Sequence, residues 1–404
     1  MTLDMTKYAP ALKQYYSNTR VENMVYRDHP FMAMLAKDEN FYGKNLPLPI
    51  IIGTPQRRSA SFAIAKANGS SSTLRDFLLL RKKDYSLASI DNETAEASEN
   101  DKGAFLKALT VETDGAFQAA SISMASSLFR DGSGAIGQIA TGGITGAVVT
   151  LADVEEIVNF EIGMTVQFAA AKSTGALRST GSTLEIIAVD RDLGKITFSA
   201  NVSTLADVVA LDFLFAEGDR NEKLSGLDAW LPYVAPTLGD SFFGIDRSVD
   251  PVRLAGVRID GTAMPVEEAF IKGGARVNRE GGNPDIALCS YNRWEQLNKA
   301  LGSKVQYNVT QAYGRADIGF QGIAVKTNKG IMNVVADPFC PDDKGYLLTS
   351  KSWKLYSLKK AIRILDLDGN KMLRDGNSDS VELRIGGYSQ LGCNAPGHNG
   401  VIQF

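Results

Sequence analysis

Residues 44–92 constrain the fold most, because they have the pattern of a long β-ribbon. A strand-like apolar run covers Leu46–Ile52, a further one covers Ser61–Lys66, and a long one covers Thr73–Ser89. Before the last run, Asn68-Gly69 followed by three serines is a strong turn signal. We predict two antiparallel strands with this turn at their tip. Since an isolated hairpin is only marginally stable in water, the ribbon needs a surface to lie on.

The ribbon is also strongly basic. Residues 44–90 contain eight basic and two acidic residues, a formal charge of +6, whereas residues 91–101 carry −5 and residues 147–218 carry −6. A solvent-exposed sheet edge protected by Lys and Arg would explain the basic charge without a partner. Alternatively, a projecting basic ribbon needs an acidic partner, and other copies of this chain carry such surfaces. In the second interpretation the candidate inter-subunit contacts are Arg57, Arg58, Lys66, Arg75, Arg81, Lys82 and Lys83.

The rest of the chain is predicted to mix helices with short strands. Apolar residues at helical spacing predict a long helix over Gly103–Arg130, which the glycines just beyond it end. A Gly-rich hinge over 132–146 leads into residues 147–218, whose short strands and turns suggest an inserted small barrel. Residues 219–404 alternate several strands with helices such as Tyr291–Leu301.

Composition argues against several functions. The chain has 404 residues and a formal net charge of −3, without the basic excess typical of a nucleic-acid binder. His29 and His398 are the only histidines, so histidine-rich metal sites and most catalytic relays are hard to build. Three scattered cysteines form no CxxC pair, which indicates a reducing, cytoplasmic environment. We expect a soluble protein, because the N-terminus lacks a signal-peptide pattern and no apolar run reaches the roughly 18 residues of a membrane helix.

Individual motifs do not support catalysis or ligand binding. The glycines of residues 137–143 lack the Gly-Lys-Ser/Thr ending of a phosphate loop. Asp366–Asn370 resembles the start of a calcium loop, but Lys371 and Asn377 stand where that loop needs Gly and Glu. Cys289 lies in an apolar stretch and is interpreted as a core thiol. We therefore predict no catalytic residue, no metal and no cofactor.

The order of these parts resembles the major capsid proteins of tailed bacteriophages, which have the Hong Kong 97-type fold. The stretches that carry the resemblance are Asp28–Phe31, Leu46–Ile90, Gly103–Arg130, Ser225–Leu231, Pro284–Leu288 with Tyr291–Leu301, and Gly387–Phe404. The resemblance implies an α+β fold with an N-terminal arm (1–43), an extended loop (44–92), a spine helix and part of the peripheral domain (93–146), an inserted β domain (147–218), and an axial domain with the return through the peripheral domain (219–404).

The resemblance also implies a structural, non-enzymatic protein of the virion. Copies would form the hexamers and pentamers of an icosahedral shell around double-stranded DNA, with each extended loop lying over an adjacent subunit. Scaffolding protein, portal and decoration protein are implied as further partners, a membrane is not, and assembly is expected in the host cytoplasm. Two alternatives are the shell of a cellular protein compartment on the same fold, and a hydrolase or binding enzyme with an accessory β domain. The scarcity of histidine argues against the enzyme.

Overall fold

The structure, a computed structural model, describes residues 29–91, 102–301, 322–366, 369, 372–374 and 380–404. Within these ranges the α-helices are α1 (Pro30–Met34), α2 (Phe62–Ala67), α3 (Lys102–Phe129), α4 (Leu227–Trp230), α5 (Pro251–Ala255), α6 (Val266–Arg279) and α7 (Tyr291–Leu301). Most of the predicted arm and of the acidic segment 91–101 lies outside the described residues. None of the described helices is long and apolar enough to cross a membrane.

The strands of the described ranges fall into two six-stranded sheets, a closed barrel and two two-stranded sheets. In chain order they are β1 (Ala36–Asp38), β2 (Asn45–Gly53), β3 (Thr73–Leu80), β4 (Lys82–Asp91), β5 (Ala135–Thr145), β6 (Val148–Leu151), β7 (Thr165–Ala169), β8 (Leu184–Asp190), β9 (Lys195–Phe198), β10 (Phe213–Ala216), β11 (Ser241–Phe242), β12 (Ile245–Asp246), β13 (Val257–Asp260), β14 (Ile286–Cys289), β15 (Ile323–Lys326), β16 (Ile331–Ala336), β17 (Lys344–Leu348), β18 (Trp353–Ser357), β19 (Arg363–Ile364), β20 (Met372–Arg374), β21 (Ser380–Cys393) and β22 (Gly400–Gln403).

The first six-stranded sheet is organised around the long strand β21. β4 pairs with residues 380–389 of β21 in antiparallel register, and β19 and β20 pair with the same stretch along its other edge. β18 pairs with residues 389–393 of β21, and β1 extends β18. α3 packs against β4 and β21, and across this contact the Ser123 hydroxyl donates to Asp84 at 2.7 Å. Because successive side chains of a strand point to opposite faces, Tyr85 and Leu87 lie on the face away from Asp84, where both are exposed.

The second six-stranded sheet has the order β13-β22-β17-β14-β16-β15, and α6 and α7 pack beside it. α6 buries the apolar side of its turns, including Val266, Phe270 and Val277. Gly273 allows the close approach of α6 to the sheet, because a Cβ there would lie 2.5 Å from Cδ1 of Leu347. The helix therefore continues through its two central glycines instead of ending at them.

The inserted β unit is a closed barrel with the strand order β10-β5-β6-β9-β8-β7. Its first strand begins at Ala135, so the predicted boundary at residue 147 and the predicted glycine hinge over 132–146 differ from the structure. The glycines of β5 provide close packing: a Cβ on Gly137 would lie 3.0 Å from the Phe160 ring. The barrel has its own core, which includes Phe160, Phe168 and Phe198.

Side chains of the short helical segment Val154–Asn159 connect the barrel to the end of α3. The Arg130 guanidinium forms an ion pair with Glu156 at 2.5 Å, and the Ser126 hydroxyl donates to Asn159 at 2.8 Å. Beside this contact, Asp153 accepts a hydrogen bond from the N–H of Glu155. Burial raises the pKa of Asp153 to about 6, and the negative charges of Glu156 and of other carboxylates close to Asp153 in space contribute to the rise.

Asp153→Asn is expected to stabilise the folded chain at neutral pH. The folded-state pKa lies above the ordinary value of 3.8, so stability falls as the pH rises from about 3.8 to about 6, and the loss is fully present at neutral pH. Asparagine removes this charge and keeps an acceptor for the helical segment. Because the carboxyl is partly solvated, we expect about 1 kcal/mol at neutral pH. Thermal unfolding of the unassembled chain measures the gain, and an equal gain near pH 2, where the carboxyl is protonated in both the folded and the unfolded state, would contradict this origin.

Candidate inter-subunit surface

The extended loop of the structure is a two-stranded sheet, β2 with β3, that runs from Asn45↔Leu80 to Gly53↔Thr73. Two predictions about it were wrong. The Ser61–Lys66 stretch, predicted as a strand, contains the helix α2, and the predicted strand Thr73–Ser89 is divided at Arg81. β4 leaves the loop because it forms ten residue pairs with β21, whereas β2 is already occupied by β3.

Two prolines determine how the outer edge of the loop can interact. Pro47 and Pro49 lie two residues apart in β2 and pair with Leu78 and Asp76 of β3. Proline has no backbone N–H, so both must occupy positions that do not donate to β3, and the missing donors lie on the outer edge of β2. This edge is a poor template for a further strand. The loop must therefore interact mainly through side chains.

The base of the loop is anchored in the main core. Phe77 is fully buried, with its ring centroid 5.0 Å from that of Trp230 in an edge-on arrangement. The backbone N–H of Leu78 donates to the Phe243 carbonyl at 2.9 Å, and the Arg253 guanidinium donates to the Ile52 carbonyl at 2.8 Å. These contacts fix the direction in which the loop leaves the body.

Beyond the base, residues 54–75 form a tip whose large side chains are exposed. Phe62 is 84% exposed, Ile64 55% and Leu74 62%. Such a group of large apolar side chains at one projecting site is typical of an interaction surface. Sequence reasoning missed these residues, although Phe62 and Ile64 alternate with two alanines, a pattern that could have indicated these two.

Four of the seven predicted contact residues lie at the tip. Arg57, Arg58, Lys66 and Arg75 are all exposed there, and no Asp or Glu occurs between Thr54 and Arg75. The Arg57 guanidinium also donates to the Ser70 carbonyl at 2.8 Å, which holds the two sides of the tip together. The tip therefore presents four positive charges around its apolar side chains.

The other three predicted contact residues lie at the base, where two of them contact their own chain. The Arg81 guanidinium donates to the Phe41 carbonyl and lies 4.9 Å from the centroid of the Phe41 ring. Lys82 forms an ion pair with Glu222 at 3.2 Å. Lys83 is exposed on the outer face of β4, next to Tyr388 of β21. The structure thus separates a basic tip from a base whose cations are largely used within the chain.

The acidic residue Asp84 at the base is neutralised within the chain. Lys223 forms ion pairs with Asp84 at 2.9 Å and with Asp219 at 3.0 Å. Burial alone would lower the pKa of Lys223, but the two carboxylates outweigh it and raise this pKa. Lys223 is therefore charged at neutral pH, and Asp84 does not reduce the positive potential of the tip.

The described residues offer little chemistry beyond these contacts. Within the ranges that the structure describes, no group of three His, Cys, Asp or Glu side chains is placed to hold a metal ion. Cys289 and Cys393 are buried, and burial raises the pKa of each thiol to about 12, so both are protonated at neutral pH. Cys289 is thus a core thiol, as its apolar surroundings predicted.

Comparison with solved structures finds phage capsids. The chain is similar to the capsid asymmetric unit of cyanophage A-1(L), with 14% identity, a TM-score of 0.50, and coverage of 95% of this chain and 92% of that one. Weaker similarities include the Mycobacterium phage Cain, with 14% identity, a TM-score of 0.41 and coverage of 100% and 98%. The procapsid of satellite phage P4 gives 10% identity, a TM-score of 0.39 and coverage of 100% and 98%. Comparison with curated proteins finds no match.

The fold is the α+β, Hong Kong 97-like fold of phage capsids. Residues 189–401, just over half of the chain, match the SU10 major capsid protein family, and the chain belongs to this family. It is a bacteriophage major capsid protein, as the order of its parts predicted. The family does not favour the alternative of a cellular compartment shell.

Proposed function

We propose that copies of this chain form the hexamers and pentamers of an icosahedral shell around double-stranded DNA, held together in part by the extended loop. The observation that supports this role is the tip itself, where Phe62, Ile64 and Leu74 are exposed among four cations without a carboxylate. A solvated loop gains nothing from exposing such side chains, whereas a neighbouring subunit would bury them. The proposed contact residues are Arg57, Arg58, Lys66 and Arg75 of the tip, with Lys83 at the base.

We propose the remaining partners on the basis that the shell is filled with DNA. We include a scaffolding protein, a portal and a decoration protein among them, and place assembly in the host cytoplasm and the finished protein in the virion. The near-neutral net charge of −3 suits a container that encloses DNA without sequence-specific binding. The proposed role is structural, without catalysis.

Reversing the charge of the tip is expected to prevent assembly and leave the subunit folded. Arg58→Glu, Lys66→Glu and Arg75→Glu together change the tip from a cationic to an anionic surface, while Arg57 keeps its hydrogen bond to Ser70 and the core residues at the base keep their packing. We expect shell yield to fall by at least about tenfold, because complementary charges at an interface are replaced by like charges. Sedimentation and negative-stain microscopy of the chain, expressed with phage scaffolding protein, measure the yield.

A matched control separates this effect from a general change of charge. Arg279→Glu, Lys326→Glu and Lys351→Glu introduce the same three reversals at exposed positions outside the loop. The control should assemble better than the tip variant, and both should unfold at the denaturant concentration of the unmodified subunit. Shells of normal yield from the tip variant would show that the loop does not hold subunits together.

A further inference from the structure

The barrel has an exposed surface whose charge and apolar content mirror those of the tip. This β8 face consists of the outward side chains of β8 and its flanking turns: Glu161, Ile162, Glu185, Ile187, Asp190, Arg191, Asp192 and Leu193. Three large apolar side chains are exposed on it, with Ile162 at 68%, Ile187 at 53% and Leu193 at 54%. The barrel has a complete core of its own, so these side chains are not needed for its folding.

The backbone brings these residues to one side of the barrel. Leu184 and Ile186 point into the barrel core, so Glu185 and Ile187 between and after them point outward. The segment before β7 lies alongside β8, because the N–H of Gly163 donates to the Ile186 carbonyl at 2.8 Å. The Arg191 guanidinium and Glu161 then join the two flanks through an ion pair at 2.7 Å.

The charge of the β8 face is opposite to that of the tip. Glu161, Glu185, Asp190 and Asp192 provide four carboxylates, against Arg191 and the half-buried Lys195, which pairs with Asp190 across β8 and β9. The barrel as a whole has ten acidic and four basic residues over 147–218. A tip with four cations and three exposed apolar side chains thus faces three exposed apolar side chains and four carboxylates, of which Glu161 is already paired with Arg191.

We propose that the β8 face receives the tip of the extended loop from a second copy of the chain. This inference rests on the proposed role of the loop in assembly and adds the acceptor surface. The barrel would then be part of the contact between subunits, and apolar area on both sides would be removed from water together with opposite charges.

Two other exposed apolar surfaces are less suitable acceptors for a cationic tip. The outer face of the sheet around Tyr85 and Leu87 carries Lys83, and Arg384 there is already paired with Glu382 at 2.9 Å. The loop after α4 exposes Val234, Leu238 and Val249. Its carboxylates Asp240 and Asp250 are already paired with Arg247 and Arg253. Apart from Asp246, which accepts the Ser248 N–H, these carboxylates are already paired with arginines, so neither surface matches the four cations of the tip.

A charge-swap experiment tests the pairing. Glu185→Lys with Asp192→Lys reverses the β8 face and avoids Glu161 and Asp190, whose carboxylates hold local structure. We expect this barrel variant alone to lose at least about tenfold in shell yield, and the barrel variant combined with the Arg58, Lys66 and Arg75 reversals to recover to within about threefold of the unmodified chain. Glu185→Gln with Asp192→Asn gives a milder barrel variant if the reversal impairs folding, which circular dichroism of the subunit would reveal.

The outcomes distinguish this inference from the proposed function. If the tip reversal prevents assembly but the barrel variants assemble normally, or the combination is not rescued, the β8 face is not the acceptor and the role of the loop stands. Rescue by Glu93→Lys, Glu96→Lys and Glu99→Lys in place of the barrel changes would assign the acceptor to the acidic segment 91–101 and overturn the inference. If the tip reversal itself leaves the shell yield unchanged, the proposed role of the loop is wrong, and so is the inference that rests on it.

A direct measurement uses cysteines, because Cys289, Cys340 and Cys393 are all buried. Ala63→Cys on the tip and Ile187→Cys on the β8 face place one exposed thiol on each proposed partner surface, while Phe62 stays in place. Oxidation of assembled shells is expected to give covalently linked ladders of subunits, and oxidation of either single-cysteine variant is not. Shells of the double variant that remain monomeric on a denaturing gel after oxidation would overturn the inference.

Discussion

Gly387→Ala is expected to prevent the chain from folding. Gly387 lies in β21 and pairs with Asp84 of β4, and a Cβ at this position would overlap the carbonyl oxygen of Ala361. The overlapping atom belongs to the backbone, so no side-chain rotation can relieve the clash. The segment carrying Ala361 is itself held in place, because Ala361 and Ile362 are buried. We expect a loss of more than about 4 kcal/mol, which is the range of exceptional single substitutions.

The soluble yield and urea unfolding of the unassembled subunit measure this loss, and Gly115→Ala is its matched control. Gly115 lies in α3, and a Cβ there would meet no atom within 4 Å. Alanine in an exposed helix is about 1 kcal/mol more favourable than glycine, so the same substitution should stabilise the chain there. If the Gly387→Ala variant unfolds at the same urea concentration as the unmodified subunit, then β21 does not pack against the segment around Ala361 as it does in the structure.

Phe77→Ala is expected to be the most damaging change within the extended loop. The ring is fully buried against Trp230 at 5.0 Å and lies 6.3 Å from the Phe242 ring. Truncation of a buried phenylalanine leaves a cavity and costs about 3–5 kcal/mol. The base of the loop would also lose its anchor, so proteolysis within residues 54–75 should become faster in the unassembled subunit. Urea unfolding and limited proteolysis measure the two effects.

Phe62→Ala, a substitution in the same loop, is expected to leave the subunit stable and to lower the shell yield. Phe62 is 84% exposed at the tip, so its removal creates no cavity in the subunit. The unfolding free energy of the subunit should change by less than about 0.5 kcal/mol, as for surface substitutions in general. Shell yield should fall, because the side chain is then missing from the contact between subunits. Equal destabilisation by both substitutions would show that the tip is packed on its own subunit.

Helices with local signals could be predicted closely from the sequence. The long helix was expected over Gly103–Arg130 and is α3, Lys102–Phe129, while the expected helix Tyr291–Leu301 is α7. Apolar spacing and the glycines after each helix are local features, and they determine these boundaries. The inserted barrel was predicted in kind, but its start was placed at residue 147 instead of Ala135 because glycines that pack closely in β5 look like a hinge.

Pairing between distant strands could not be predicted in the same way. β4 follows β3 after a single residue, so the sequence reads as one long strand, and only the competition of β21 for β4 divides it. The same difficulty affects the candidate surface. The seven cations were identified by charge, but whether a cation projects or contacts its own chain depends on residues far away, such as Glu222 for Lys82. The sequence alone also does not show that Phe62 is exposed, because this depends on which other side chains form the core.

The two ends of the barrel leave the body side by side. The N–H of Asn221 donates to the Ser133 carbonyl at 2.7 Å, and the N–H of Gly226 donates to the Arg130 carbonyl at 2.9 Å. A segment with adjacent ends can be exchanged for a short turn or for another compact domain without moving the helix before it or the strands after it. A chain in which a short turn replaces the barrel should therefore still fold, whereas it should not assemble into shells if the β8 face is the acceptor of the tip.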